Sequence, residues 1–223
     1  MKAAMQNLLS LPLFKGLASD ELDTILGKVN ALVKHFEKSD YIYLAGDAVE
    51  SIGIVVAGTV QMIKEDIMGD KSIITTMGSG SIFAENFLGH DKQDEKTNVS
   101  YFAASDSELM VPFGKVLTDL SNNDPCRNKL LTNMISIMAS NNAQLIEKTE
   151  ILCKKTLRGK IMTYLEQEAK RNGSTEFEIP FNRTDMANYL DADRSALTRE
   201  LARMKDCGLI DFDKRNFKIL KFE

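Results

Sequence analysis

Leu131, Met138, Leu145 and Leu152 recur every seven residues in a stretch that opens on Asp124-Pro125. Proline suits the first position of a helix, where its missing N–H would have had no intrahelical partner. Three successive heptad steps have the spacing of a coiled-coil seam, so residues 124–153 predict one long helix and a parallel dimer built on it. Met134 and Asn141 fill the complementary positions of this seam. A second apolar set on the same helix, Leu130, Met134, Ile137 and Ile146, is suited to lie on the chain's own core. The helix divides the chain into three segments, residues 1–123, 124–153 and 154–223.

The first segment carries strand signals at short intervals. Tyr41 to Leu44, Ser51 to Val56, Thr59 to Ile63 and Ser72 to Met77 are β-rich. Turns punctuate them at Ala45-Gly46-Asp47, Ala57-Gly58, Met68-Gly69-Asp70-Lys71 and Gly78-Ser79-Gly80. Short strands with turns every 8–12 residues predict a sandwich, barrel or jelly roll. Ahead of them, Leu17 to Phe36 reads as helical, with Ser19 as N-cap and Asp20 and Glu21 in the first turn. The last part of this segment, from Gly78 to Asp106, joins a Gly-rich turn, a lone glutamate and a charged loop. A turn of free backbone N–H groups is a natural cradle for a small anion. An anion pocket also wants an arginine, and there is none from Met1 to Cys126.

The third segment is the most informative. Leu157 to Arg171 is an amphipathic helix stopped by Asn172-Gly173. Thr184 to Leu190 has helical spacing, with Met186, Ala187 and Leu190 apolar. Asp191-Ala192-Asp193 makes a turn, and Asp193 is placed to cap a second helix from Arg194 to Cys207. That helix directs Leu197, Leu201 and Met204 inward and Arg194, Ser195, Thr198 and Arg199 to another face. Leu209 to Phe212 and Phe217 to Leu220 then flank Asp213-Lys214-Arg215-Asn216 as a hairpin or wing. The pattern predicts a winged helix-turn-helix, with polar residues at the N-terminal end of its second helix.

Charge agrees with this division. From Lys154 onward there are 15 basic and 12 acidic residues, against 13 and 20 before it. A nucleic-acid partner is therefore expected for the back of the chain only. The three cysteines, Cys126, Cys153 and Cys207, are odd in number and far apart, which predicts neither a disulfide framework nor a zinc knuckle and fits a reducing cytoplasm. On two of them, Cys126 and Cys153, a redox role competes with plain packing, the commoner use of an isolated cysteine on a helix. No apolar run approaches a membrane span, and the N-terminus lacks a signal-peptide cleavage site.

In this order the parts resemble the Crp–Fnr superfamily of bacterial transcription regulators. The resemblance is carried by Gly46-Asp47, Gly58-Thr59-Val60, Gly80-Ser81-Ile82-Phe83-Ala84-Glu85 and Arg183-Thr184-Asp185-Met186-Ala187-Asn188-Tyr189-Leu190, and extends through Arg194 and Arg199. It implies an α+β fold: a cyclic-nucleotide-binding-like β-roll that senses an effector (1–123), a dimerisation helix (124–153) and a DNA-binding winged helix-turn-helix (154–223). Asp191 stands where the family has a turn glycine; aspartate tolerates the left-handed region better than most residues. By the resemblance Arg199 reads a guanine, whose O6 and N7 a guanidinium can bond together. Arg194, Ser195 and Thr198 line the same groove, and Arg183, Lys214 and Arg215 hold phosphates. Ser195 replaces a frequent family glutamate, which implies a half-site unlike that of the best-known members. A homodimer and an RNA polymerase partner follow from the same resemblance.

The resemblance also sets the terms for the effector pocket, made of Phe83, Glu85, Asn86, Thr97, Asn98 and Leu145. In members that bind cyclic AMP, a glutamate holds the ribose and an Arg–Ser pair holds the phosphate. Glu85 matches the glutamate, whereas Thr97 and Asn98 stand at the Arg–Ser positions. Ala84 replaces a usual glycine, and Leu145 and Ile146 stand near the base. A partly buried phosphate without a cation is very unfavourable, so cyclic AMP is not expected. Another effector and a purely structural lid both remain open. An iron–sulfur cluster needs four thiolates, and no cysteine precedes Cys126. Haem would require an axial ligand, for which His90 is the candidate, although a lone loop histidine is more often simply solvated. Two other classes compete. A cyclic-nucleotide-binding-like regulatory module for an enzyme would keep the arginine and lack the helix-turn-helix. A catalyst would show a triad, P-loop or metal spacing, and Glu85 with His90 five residues on is a weak substitute.

Overall fold

A computed structural model describes residues 7–29, 32–49, 52–84, 96–111 and 125–221. They fall into two compact units, Met1–Gly69 with Thr75–Asn142, and Asp70–Ile74 with Ala143–Glu223.

The first unit opens with a 3-10 turn, Pro12–Phe14, and helix α1, Ser19–Val29. Ser19 is the first helical residue rather than the cap. Ala18 precedes it, and its N–H donates to Glu21 Oε2 at 2.8 Å, half of a capping box. The helix expected to reach Phe36 ends at Val29, and Leu32–Phe36 is strand β1. This strand pairs antiparallel with β8 (Ser107–Val111) from Leu32↔Val111 to Phe36↔Ser107. A five-residue run with two β-branched or aromatic members answers to its neighbour more than to its own propensity.

β2 (Tyr41–Tyr43), β3 (Gly53–Ala57), β4 (Val60–Glu65) and β5 (Lys71–Met77) follow the turn signals. β6 (Ile82–Phe83) and β7 (Ser100–Ala103) complete two four-stranded sheets, ordered β1-β8-β3-β6 and β2-β7-β4-β5. Gly58 shows why its turn is glycine. It sits at φ 86, and a Cβ there would lie 2.3 Å from Asp106 O and Ser107 Oγ.

β3, β6 and β8 of the first sheet carry apolar residues on both faces, whereas β1 is largely exposed. Ile54 and Val56 of β3, Ile82 of β6 and Met110 of β8 pack with Leu13, Phe14, Leu22 and Ile25. Val55, Phe83 and Leu109, the alternate residues of the same strands, pack with Val60, Met77 and Tyr101 between the sheets. Strands buried on both faces lose the polar alternation of a half-exposed strand.

Helix α2 runs Pro125–Leu152, starting at the proline as the sequence indicates. At 1.5 Å per residue its 28 residues extend about 42 Å. Leu130, Met134 and Ile137 are buried in the first unit's core. Asn133 Nδ2 donates to Leu13 O and Lys15 O at 2.8 and 2.9 Å, and Lys129 pairs with Glu21 at 2.8 Å. Ile146, expected on this inward face, is 62% exposed.

The second unit contains helices α3 (Leu157–Asn172), α4 (Arg183–Leu190) and α5 (Arg194–Asp206), and strands β9 (Glu176–Glu178), β10 (Ile210–Asp213) and β11 (Asn216–Ile219). Its strands form one antiparallel sheet in the order β10-β11-β9. β9 was missed from the sequence, although Phe177, Ile179 and Phe181, all buried, alternate with exposed Glu178 and Pro180. α3 begins at Thr156, whose hydroxyl accepts from Gly159 N–H at 3.0 Å, and stops at Gly173 in the left-handed region. One core joins Ile151 of α2 to Ile161 and Leu165 of α3, Met186 and Leu190 of α4, and Leu197, Leu201 and Met204 of α5.

Candidate nucleic-acid interface

Two side-chain caps define the helix-turn-helix. Asn182 Oδ1 accepts from Asp185 N–H at 2.9 Å at the start of α4, and Asp193 Oδ1 accepts from Ala196 N–H at 2.8 Å at the start of α5. Each satisfies an amide that the helix leaves without a partner. Between the helices Asp191 adopts φ 50 and ψ 63, the left-handed conformation of the family's glycine. The N–H groups of Asp191 and Ala192 both donate back to Ala187 O. α5 ends at Asp206, with Cys207 as its cap.

Leu197, Leu201 and Met204 are fully buried, which turns Arg194, Ser195, Thr198 and Arg199 outward. Thr198 Oγ1 donates to Arg194 O at 2.9 Å, leaving its methyl group and lone pairs for a ligand. Most nearby cations are spoken for. Arg158 bonds Glu200 at 2.7 Å, and Arg203 lies 3.6 Å from the same residue. Lys205 pairs with Asp211, Lys218 with Glu176, and Arg171 with both Glu147 and Glu168. Among the described residues no ion pair engages Arg194, Arg199 or Lys214.

The wing is the two-residue loop Lys214-Arg215, closed by the Asp213↔Asn216 pair. Lys214 sits at φ 52, strained for a residue with a Cβ. Arg215 pairs with Glu178 at 2.6 Å. Both partners are exposed, so such a pair is weak and exchangeable. Arg183, the first residue of α4, lies half-buried over the rings of Phe212 and Phe217, 4.8 and 5.1 Å from their centroids. One terminal nitrogen, Nη1, is shielded from water and has no hydrogen-bond partner among the described residues. Burial pulls its pKa below the usual arginine value. Nothing in local spacing marks Phe212 and Phe217 as the bed of this guanidinium; the fold brings them together across the wing.

A buried lysine was also missed by sequence reasoning. Lys148, near the end of α2, is 7% exposed, and its Nζ lies 3.4 Å from the centroid of the Tyr189 ring on α4. Burial pushes its pKa down to about 7, opposed by Asp191 and reinforced by Lys160. The negative face of the ring offsets part of the lost hydration.

In the first unit, Phe83 is fully buried and stacks into an aromatic group with Tyr101 at 5.5 Å and Tyr43 at 6.4 Å. Gly53 lies directly beneath, where a Cβ would meet the Phe83 ring at 2.1 Å. Ala84 is at φ 62. Thr97 is 2% exposed, and its hydroxyl donates to Val99 O at 2.8 Å. Its backbone bridges Gly46 N–H and Asp47 O. Asn98 is exposed. Glu85, Asn86 and His90 lie outside the described residues.

Three of the four heptad residues of α2 face outward. Met138, Leu145 and Leu152 are 43%, 40% and 39% exposed, and Leu131 is partly buried against the first unit's core. Met134, expected at a complementary position, is buried in that core, and Asn141 is part-buried. Ile135, Asn142 and Thr149, one residue further on, are exposed. Cys153, read from sequence as a packing residue, is exposed too. Among the described residues no helix is long and apolar enough to cross a membrane, and no cluster of potential metal ligands occurs.

The chain matches two family models, the cyclic nucleotide-binding domain over residues 33–124 and the Crp-like helix-turn-helix domain over residues 159–223. It is 25% identical over 199 residues to electron transport regulator A of Shewanella oneidensis, covering 86% of this chain and 74% of that one. It is 23% identical over 198 residues to the fumarate and nitrate reduction regulatory protein of Escherichia coli, covering 86% and 74%. Its fold matches the c-di-GMP-responsive global regulator CLP of Xanthomonas campestris with a TM-score of 0.73 at 15% identity, over 92% of this chain and 100% of that one. It also matches a CooA mutant from Carboxydothermus hydrogenoformans with a TM-score of 0.70 at 14% identity, over 97% and 91%. With a β-roll, a long helix and a capped winged helix-turn-helix in this order, the chain belongs to the Crp–Fnr superfamily of transcription regulators.

Proposed function

We propose that this regulator reads DNA as a homodimer with α5 in the major groove, Arg199 bonding a guanine, and Arg194, Ser195 and Thr198 beside it. The observation that carries this reading is the pair of exposed arginines, Arg194 and Arg199, without an ion pair among the described residues on a helix whose neighbouring cations are mostly paired. Arg183, Lys214 and Arg215 hold phosphates. Arg183 is suited to this because its half-buried guanidinium lies at the N-terminus of α4, where an anionic oxygen is favoured. Arg215 has first to leave Glu178, so Lys214 is the stronger contact at the wing.

Residues 1–123 form the sensing domain, 124–153 the dimerisation helix and 154–223 the reader. The effector is a small molecule other than cyclic AMP. Thr97 spends its hydroxyl on its own loop, and Phe83 fills the space between the sheets with Tyr43 and Tyr101. The protein is cytoplasmic, works with RNA polymerase and catalyses no reaction.

Selection of fragments from a random DNA library should enrich a palindrome with half-sites about one helical turn apart. Arg199→Ala should cost about 1–3 kcal/mol on that site and relax one base pair in each half-site. Arg183→Ala should weaken all sequences alike and flatten the salt dependence. If base preference followed Arg183 and not Arg199, the placement of α5 would be wrong.

A further inference from the structure

α2 carries two apolar rows offset by one residue. Leu130, Met134, Ile137, Asn141, Lys148 and Ile151 are buried or part-buried within their own units. The outward row is Leu131, Ile135, Met138, Asn142, Leu145, Thr149 and Leu152, with steps of four and three throughout. Ile135, Met138, Leu145 and Leu152 expose large apolar side chains to water, at a cost that a second copy of the helix would remove. With Ile135, Asn142 and Thr149 as one heptad column and the leucine–methionine column as the other, Asn142 is the amide at the middle of the row.

We propose that Asn142 pairs with Asn142 of a second copy and so fixes the two α2 helices parallel and in register. This rests on the homodimer reading above and goes beyond it. Orientation in a coiled coil is otherwise set by charges flanking the seam. Between Leu131 and Leu152 the flanking positions are Thr132, Ala139 and Ile146 on one side and Met134, Asn141 and Lys148 on the other. Lys148 is buried over Tyr189, and none of the others is charged. The amide of Asn142 is thus the group that can tell one alignment from another. In the parallel, in-register pair each Asn142 donates to and accepts from its counterpart. Reversing one helix sets the amide against Met138 or Leu145, and a one-heptad slip sets it against Ile135 in one of its two layers. Both leave a polar group desolvated without a partner.

Asn142→Asp tests this in the full-length protein, because an isosteric carboxylate would face its own copy. The dimer dissociation constant should rise about tenfold or more at pH 7.5, and much of the loss should be recovered at pH 5 as one of the two carboxyls takes up a proton. Asn142→Ile should tighten association while losing uniqueness. In a background with Cys126, Cys153 and Cys207 replaced by serine, Met138→Cys should oxidise to a covalent dimer in high yield when Asn142 is present. That yield should fall when Asn142→Ile is added, as other registers fill. An unchanged dissociation constant for Asn142→Asp, or an unchanged cross-link yield for Asn142→Ile, would overturn the proposal. The dimer reading fails separately, if Leu145→Glu leaves sedimentation of the protein unchanged.

Discussion

The outer face of α5 and the interior of the β-roll are opposites. On α5, Arg194 and Arg199 are exposed, and no ion pair engages them among the described residues. Between the sheets, Phe83, Tyr43 and Tyr101 close on one another, and the Thr97 hydroxyl is satisfied by its own loop. A site held open for a charged ligand keeps its charges unpaired, because pairing them would have to be undone on binding. A space filled by packed rings is part of the core. Among the described residues the contrast is between exposed arginines on α5 and a packed aromatic core in the β-roll.

The sharpest way to break the comparison is Phe83→Ala. Removing a fully buried ring that sits over Gly53 should destabilise the first unit by about 3–5 kcal/mol. Thermal unfolding of the full chain would show this, and titration calorimetry with cyclic AMP should stay silent for both proteins. Saturable heat from the wild type would mean the β-roll keeps a nucleotide site. Near-wild-type stability with new nucleotide binding would mean that Phe83 is a gate rather than core.

A middle-sized effect concerns Lys148, the buried cation beneath the reader. Its pKa lies near 7 when folded and at the ordinary lysine value when unfolded. From pH 7 up to the lysine range the unfolded chain therefore binds more protons than the folded one. Stability of the second unit should rise with pH across that window, by at most about 1.4 kcal/mol per pH unit, and level off below it. Melting curves between pH 7 and 8.5 should show the rise in the wild type and its loss in Lys148→Met. An equal slope in both would mean that Lys148 stays charged on the Tyr189 ring.

The smallest effect separates caps from contacts. Asp193→Ala removes the cap of α5 without touching its outer face, and should cost about 1 kcal/mol of stability. Base preference in a DNA selection should be unaltered. A changed preference would show that Asp193 itself reaches DNA.

Much of the reader was legible because its signals are local. A cap bonds an amide three residues on, a left-handed turn needs one tolerant residue, and inward positions repeat at helical spacing. Asp193, Asp191 and the row Leu197, Leu201 and Met204 express these rules within one stretch of chain. The Phe177, Ile179 and Phe181 alternation is equally local, but the strand it marks was missed. The strand at Leu32–Phe36 was not, since pairing with β8 depends on residues some 75 positions away.

By itself the sequence determined the long helix from Pro125, its heptad spacing, the capped helix-turn-helix and the lack of an arginine for a nucleotide phosphate. Only the tertiary structure decided which of two rows on α2 lies inward, because rows one residue apart differ by about 100° around the helix and are equally apolar by spacing. It placed Met134 in the core and left Ile135 and Asn142 exposed. It laid Arg183 on Phe212 and Phe217, and buried Lys148 under Tyr189. Each of these depends on side chains distant in sequence meeting in one place, and no local periodicity records such a meeting.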